Sequence, residues 1–239
     1  MRAFAAILFD VDGTLLDDDQ AVDAALVAFH SVYGDALGMS LANLTFRWRA
    51  LLNIHFWRYL TGEISMQEQR RARVQDLFGS RLRTSADEIF AVYERCYRAS
   101  WVAFPDVPAA LSALNGFQLA VLTNGELSQQ TQKLRAAGVE DRFSRIFASS
   151  EIGAAKPRPE AFLTACARLG FDPGRCVYVG DNLEVDALGS ATAGLTGVWL
   201  DRHGSGIDPA GGIRVIRSLG ELPDLIGRRQ TTKDDRLSY

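Results

Sequence analysis

Apolar residues recur along this chain with two different periods. Ala5 to Phe9 form an unbroken apolar run, the pattern of a strand buried on both faces in the middle of a parallel sheet. Similar short runs predict strands at Phe117–Leu122, Arg145–Ala148, Cys176–Val179, Thr196–Leu200 and Ile213–Ile216. Between them the spacing is helical. Asp106 is placed to cap a helix carrying Leu111 and Leu114, stopped at Gly116. A second helix runs through Leu127, Leu134 and Ala137 to Gly138. Pro159 suits the first turn of a third, which holds Phe162, Cys166 and Leu169.

From Asp18 to Phe104 no strand signal appears. Asp17 and Gln20 mark a helix start, followed by Val22, Leu26, Phe29 and Tyr33 at helical spacing. Leu44, Trp48, Leu51, His55 and Tyr59 repeat the pattern. Ser65–Glu68 is a capping box opening a helix that carries Val74 and Phe78 inward. Ser85–Glu88 opens a fourth helix, with Ile89, Val92, Cys96 and Ser100 on one side. Strands alternating with helices, interrupted once by a purely helical block, predict an α/β fold: a doubly wound parallel sheet with an inserted all-helical domain. The expected boundaries are 1–17 and 105–227 for the core, 18–104 for the insert, and 228–239 for a polar, frayed tail.

Composition narrows the function. At 239 residues, 47% hydrophobic and 23% charged, the chain is an ordinary soluble globular protein. A net charge of −3 lacks the basic stripe that nucleic acid requires. The first apolar run is too short to span a bilayer and is broken by Asp10. It also lacks a secretory cleavage site. Cys96, Cys166 and Cys176 are odd in number and without metal-ligand spacing, as expected of small apolar fillers in a reducing cytoplasm. His30, His55 and His203 share no spacing that suggests zinc. A monomer or a homodimer is equally compatible. Basic residues are nearly all Arg; the lysines are Lys133, Lys156 and Lys233.

The ends of the strands carry the chemistry. In an open α/β sheet, ligands bind beyond the carboxyl ends of the strands. There the chain places Asp10 with Asp12, Thr123 with Asn124, Lys156 just after a strand, and Asp181 with Asp186. Such a set suits phosphoryl transfer. A carboxylate can attack phosphorus and form an aspartyl-phosphate. A second can protonate the leaving alcohol and then deprotonate water. A hydroxyl, a backbone N–H and a lysine can hold the phosphoryl oxygens. Converging carboxylates with room for water suit magnesium. In a chain that otherwise uses Arg, a lysine in the Lys156 loop points to a role for a compact ammonium.

Asp-Val-Asp-Gly-Thr at 10–14, Thr123-Asn124, Lys156-Pro157-Arg158-Pro159-Glu160, and Gly180-Asp181-Asn182 with Asp186 resemble, in order, the motifs of the haloacid dehalogenase-like hydrolases. The resemblance covers about Ala5 to Leu200 and implies that the insert is similar to that family's cap. By it, Asp10 is the nucleophile and Asp12 the general acid/base. Magnesium falls to Asp10, the backbone carbonyl of Asp12, and Asp181. Thr123 and the Asn124 N–H grip the phosphoryl group, Lys156 neutralises nucleophile and phosphate, and Asp186, with Asn182, supports them from behind. The implied reaction is magnesium-dependent hydrolysis of a small phosphate monoester: a phosphoglycolate-like acid, a nucleoside monophosphate or a sugar phosphate.

Related chemistries stay in view. Family dehalogenases have no need of an acid at position 12, and the phosphonate-cleaving members need a cap lysine that 18–104 lacks. A sugar phosphomutase on the same core, or a noncatalytic module binding a phosphorylated ligand or a protein, are the alternatives. In the insert, Arg47, Arg49, Arg58, His55, Trp48 and Trp57 are candidates for reading the substrate, with a solvated face or helix packing as their commoner fate. Phe56 and Trp57 lie either at a dimer surface or inside the insert. Hinges are expected near 16–18 and 104–106.

Overall fold

A computed structural model describes residues 4–209 and 211–227; the expected tail at 228–239 lies outside the described residues. The six strands are β1 (Ala6–Phe9), β2 (Gln118–Thr123), β3 (Arg145–Ala148), β4 (Cys176–Gly180), β5 (Thr196–Leu200) and β6 (Arg214–Ile216). They form one parallel sheet in the order β3-β2-β1-β4-β5-β6. β1 is central because its residues are apolar on both faces. Ile7 and Phe9 enter one core with Val121, Val177 and Val179. Ala6 and Leu8 enter the other with Leu122, Tyr178 and Phe162. Phe9 stands in register with Val121 of β2 and Val179 of β4. The strand order reverses at β1, so the crevice beyond its carboxyl end is a topological switch point.

The block after β1 is helical: α1 (Asp18–Leu37), α2 (Leu41–Leu60), α3 (Met66–Phe78) and α4 (Ala86–Ala99). Asp17 accepts a hydrogen bond from the Gln20 N–H, and Ser65 with Glu68 forms the capping box, both as the sequence predicts. These helices enclose their own core, separate from the two on the sheet. Its centre is Trp48, fully buried, with ring centroids 5.5 Å from Phe29 and 4.6 Å from Tyr93. The buried side of α4 differs from expectation. Ile89, Phe90 and Tyr93 face the core, while Val92 and Cys96 lie at its edge. Aromatic rings at 90 and 93 bury more area than the smaller residues at 92, 96 and 100, and the helix turns accordingly. The two crossings into the insert lie side by side: Asp17 N–H donates to the Val102 carbonyl (3.1 Å) and Phe104 N–H to that of Leu15 (3.0 Å).

After the insert come α5 (Val107–Ala113), α6 (Leu127–Ala136), α7 (Ser149–Ile152), α8 (Pro159–Leu169), α9 (Gly189–Thr192) and α10 (Leu222–Ile226), with a π-helical turn at Leu183–Leu188. Asp106 precedes α5 but does not cap it with its side chain. Its carboxylate turns instead to Arg202, Ser218 and the Leu219 N–H, where a guanidinium outcompetes a helix-end N–H. No helix among the described residues is long and apolar enough to cross a membrane.

Candidate active site

The carboxyl ends of β1, β2 and β4 bring the sequence-predicted residues to one rim. Asp10 follows β1 directly, and its N–H donates to the Val179 carbonyl (2.9 Å). The chain then turns sharply. Gly13 has φ +77°, and a Cβ there would lie 2.4 Å from an Asp181 carboxylate oxygen. Only glycine allows the two segments this approach. Thr14 is buried and donates to Asp181 Oδ1 (3.1 Å), tying the first motif to the last.

Lys156 is the hub. Its ammonium, 2% exposed, lies 2.8 Å from Asp10 Oδ1 and 2.7 Å from Asp186 Oδ1, and donates to the Tyr178 hydroxyl (2.7 Å). Tyr178 in turn donates to the Leu122 carbonyl (2.7 Å), linking the hub to β2. Burial opposes the ammonium charge, yet Asp10 and Asp186 hold Lys156 protonated above its ordinary range. Asn124 clamps the same loop from its side chain, accepting from the Lys156 N–H and donating to the Lys156 carbonyl, both at 2.8 Å. Thr123 is buried at the end of β2. Asp186 also accepts from the Asn182 N–H (3.0 Å), while the Asn182 side chain caps the π-helical turn through the N–H groups of Glu184 and Val185.

Asp10, Asp181 and Asp186 each offer an oxygen within 4.8 Å of the other two. Burial pushes Asp10 up to about 6 against the pull of Lys156. Asp181, which reaches solvent on one side, is pushed to about 8 by partial removal from water and by the charges of Asp10 and Asp186. The single Lys156 ammonium does not balance three carboxylates crowded in this way. An all-oxygen donor set at a solvent-open rim fits a hard divalent cation such as magnesium.

Asp12 stands apart from that trio. Its carboxylate accepts from Lys133 Nζ (2.6 Å) and Gln130 Nε2 (3.1 Å), both on α6. Lys133 is 2% exposed and also bonds Asp18 Oδ1 (2.9 Å), the first residue of α1; Tyr97 of α4 donates to the same oxygen. Burial pushes Asp12 up to about 6 while Lys133 pulls it down. Lys133 thus joins the first motif, α6 and the helical block. Sequence reasoning gave Lys133 no role, although the argument from lysine scarcity used for Lys156 applies to it equally. Tyr178 carried no signal, since an aromatic residue in a buried strand is unremarkable.

Asp12, Lys133 and Gln130 form one wall of a cavity of about 250 Å³, closed on the other side by α2, α3 and α4. Of the six insert residues expected from sequence to read the substrate, none is among its lining side chains. Trp48 lies in the helical core, His55 is buried against Asp76 (2.8 Å), Arg49 pairs with Asp19 and Asp23, and Arg58 pairs with Glu63. Arg47 and Trp57 are exposed. Phe56 does reach the cavity, beside Gln69, Arg70 and Arg73.

Known proteins share this plan. The chain is 27% identical to the N-acylneuraminate-9-phosphatase of Homo sapiens over 240 residues, covering 92% of this chain and 93% of that protein. It is also 27% identical to haloacetate dehalogenase H-2 of Moraxella sp. (strain B), covering 94% and 93%. The solved structure of the HAD-hydrolase YfnB from Bacillus subtilis bound to magnesium has the same fold, with a TM-score of 0.80 at 24% identity, covering 94% of this chain and 99% of that one. The family model for the haloacid dehalogenase-like hydrolases matches residues 4–194, from just before β1 to the turn before β5, and the chain belongs to that family.

Proposed function

We propose that this hydrolase removes phosphate from a small phosphate monoester, with magnesium as cofactor and Asp10 as nucleophile. The observation that carries this reading is the separation of two carboxylates two residues apart. Asp10 sits on Lys156 within the acidic trio, while Asp12 sits on Lys133 at the cavity wall. The separation supports one acid for attack and the other for proton transfer, a division that carbon–halogen cleavage does not need. The similarity to a phosphatase over nearly the whole chain supports the same reading.

In this mechanism an Asp10 oxygen attacks phosphorus as the ester P–O bond breaks, and Asp12 gives its proton to the leaving oxygen. Asp12, now ionised, takes a proton from water. That water attacks the aspartyl-phosphate, releasing inorganic phosphate and restoring Asp10. A carboxyl group held near 6 is well placed to both give and take a proton at neutral pH. Lys156 neutralises the nucleophile, Thr123 and the Asn124 N–H hold phosphoryl oxygens, and Asp186 with Tyr178 fixes the lysine. Asp10, Asp181 and the Asp12 carbonyl would hold magnesium, which when bound would supply positive charge to the transferring group. The helical block acts as a cap, excluding water from the cavity during the first step.

Phosphate release from a panel of esters, with and without magnesium, tests the reading. Metal-dependent release is the expected result. No release from any ester by folded, magnesium-loaded protein would overturn it and direct attention to phosphomutase activity.

A further inference from the structure

Arg73 of α3 is 4% exposed and lines the cavity that Asp12 and Lys133 wall on the other side. Its guanidinium lies 5.0 Å from the ring centres of both Trp48 and Phe90, which fix it in place. Its Nε has no hydrogen-bond partner, and among the described residues no carboxylate lies within ion-pair distance of it. The other cations of the cavity are engaged: Arg70 with Glu94 (3.4 Å), and Lys133 with Asp12 and Asp18. Burial lowers Arg73 only to about 10, so it stays charged at neutral pH. A buried, unpaired charge is costly unless an anion completes it.

Gln69 and Gln130 are polar residues of the same cavity wall, and the Gln130 amide donates to Asp12 (3.1 Å). We propose that Arg73 receives a carboxylate on the leaving group of the substrate, with Gln69 and Gln130 as the polar wall beside it. The substrate class is then a phosphorylated hydroxy acid. This rests on the phosphatase reading above and narrows it. A single free guanidinium matches a monoanion; a second phosphate, with nearly two charges, would need cations that the cavity has already committed. The cavity is also below the roughly 300–1,000 Å³ of drug-sized pockets, which suits a small metabolite.

The test compares ester pairs that differ in the carboxylate: 3-phosphoglycerate with glycerol 3-phosphate, and 6-phosphogluconate with sorbitol 6-phosphate. p-Nitrophenyl phosphate serves as a general substrate. The wild-type protein is expected to favour the carboxylated member of at least one pair in kcat/KM. In Arg73→Met that preference falls by about 10- to 100-fold, chiefly through KM, as loss of a charged hydrogen bond implies. Arg73→Lys restores part of it. A wild-type protein that hydrolyses p-nitrophenyl phosphate but shows no carboxylate preference overturns the inference and leaves the phosphatase reading intact. A preference unchanged in Arg73→Met overturns it as well. Failure on every ester, p-nitrophenyl phosphate included, instead removes the reading on which it rests. Should Arg73→Met not fold, the wild-type preference and the Arg73→Lys variant still decide.

Discussion

Asp106 offers a test of how the fold holds the turn that follows Asp10. Its carboxylate accepts from Arg202 Nη1 (3.0 Å) and Nη2 (3.2 Å), Ser218 Oγ (2.9 Å) and the Leu219 N–H (2.8 Å). Arg202 in turn donates to the carbonyl of Thr14 (2.8 Å), inside the turn that follows Asp10. The side chains of Arg202 and Asp106 are 12% and 21% exposed, so the pair is partly shielded. Asp106→Asn keeps the shape and one acceptor oxygen but removes the charge. Hydrogen bonds to charged groups contribute about 1.5–3 kcal/mol each. With one acceptor retained, and a guanidinium left without its counter-ion, we expect a loss of about 2–3 kcal/mol at pH 7.

The pH dependence carries a definite sign. Against partial burial, Arg202, the Leu219 N–H and Ser218 hold Asp106 below the usual carboxylate range. The stabilisation is therefore present above the unfolded value of about 3.9 and disappears as pH falls through the lower folded value. Urea unfolding of both proteins from pH 7 down to about 3 should show the two stabilities converging in acid. A gap below about 0.5 kcal/mol at pH 7, or one that stays constant down to the lowest pH, would show that the Asp106 charge does not hold this junction.

Three further perturbations follow from the same geometry. Lys133→Met leaves Asp12 and Asp18 without their shared cation; we expect about 3 kcal/mol lower stability in urea melts and at least a tenfold loss of turnover. Gly180→Ala places a Cβ 2.3 Å from the Asp186 carboxyl carbon, which must move away from Lys156. Phosphate release should fall much further than thermal stability does, and an active variant would contradict the role given to that pair. Trp48→Ala empties the centre of the helical core and should cost about 3–5 kcal/mol, read as an earlier or separate unfolding step by fluorescence and circular dichroism.

The sheet was legible because each buried strand is a short apolar run ended by polar residues, and the rim residues Asp10, Asp12, Thr123, Lys156 and Asp181 stand at those ends. Legibility failed where a residue's role depends on what lies opposite. Asp106 reads as a helix cap by its neighbours in sequence, but Arg202, 96 residues on, claims its carboxylate. Arg73 sits in a helix rich in charged residues, where nothing local separates the one buried guanidinium from its solvated neighbours. The arginines and tryptophans of α2 were the more conspicuous candidates, yet they face the helical core or the surface, and α2 turns Leu52, Asn53 and Phe56 to the cavity instead. Lys133 is a different case: scarcity of lysine marked it, and only the absence of a motif around it kept it from notice.

Quenching the enzyme in acid during turnover of its best ester, and mapping the phosphate by peptide mass spectrometry, tests Asp10 as the nucleophile directly. Phosphate is expected on Asp10, absent from Asp10→Asn, and removed on a chase with unlabelled ester at a rate no slower than turnover. Steady hydrolysis with phosphate on another residue, or undiminished in Asp10→Asn, would contradict it.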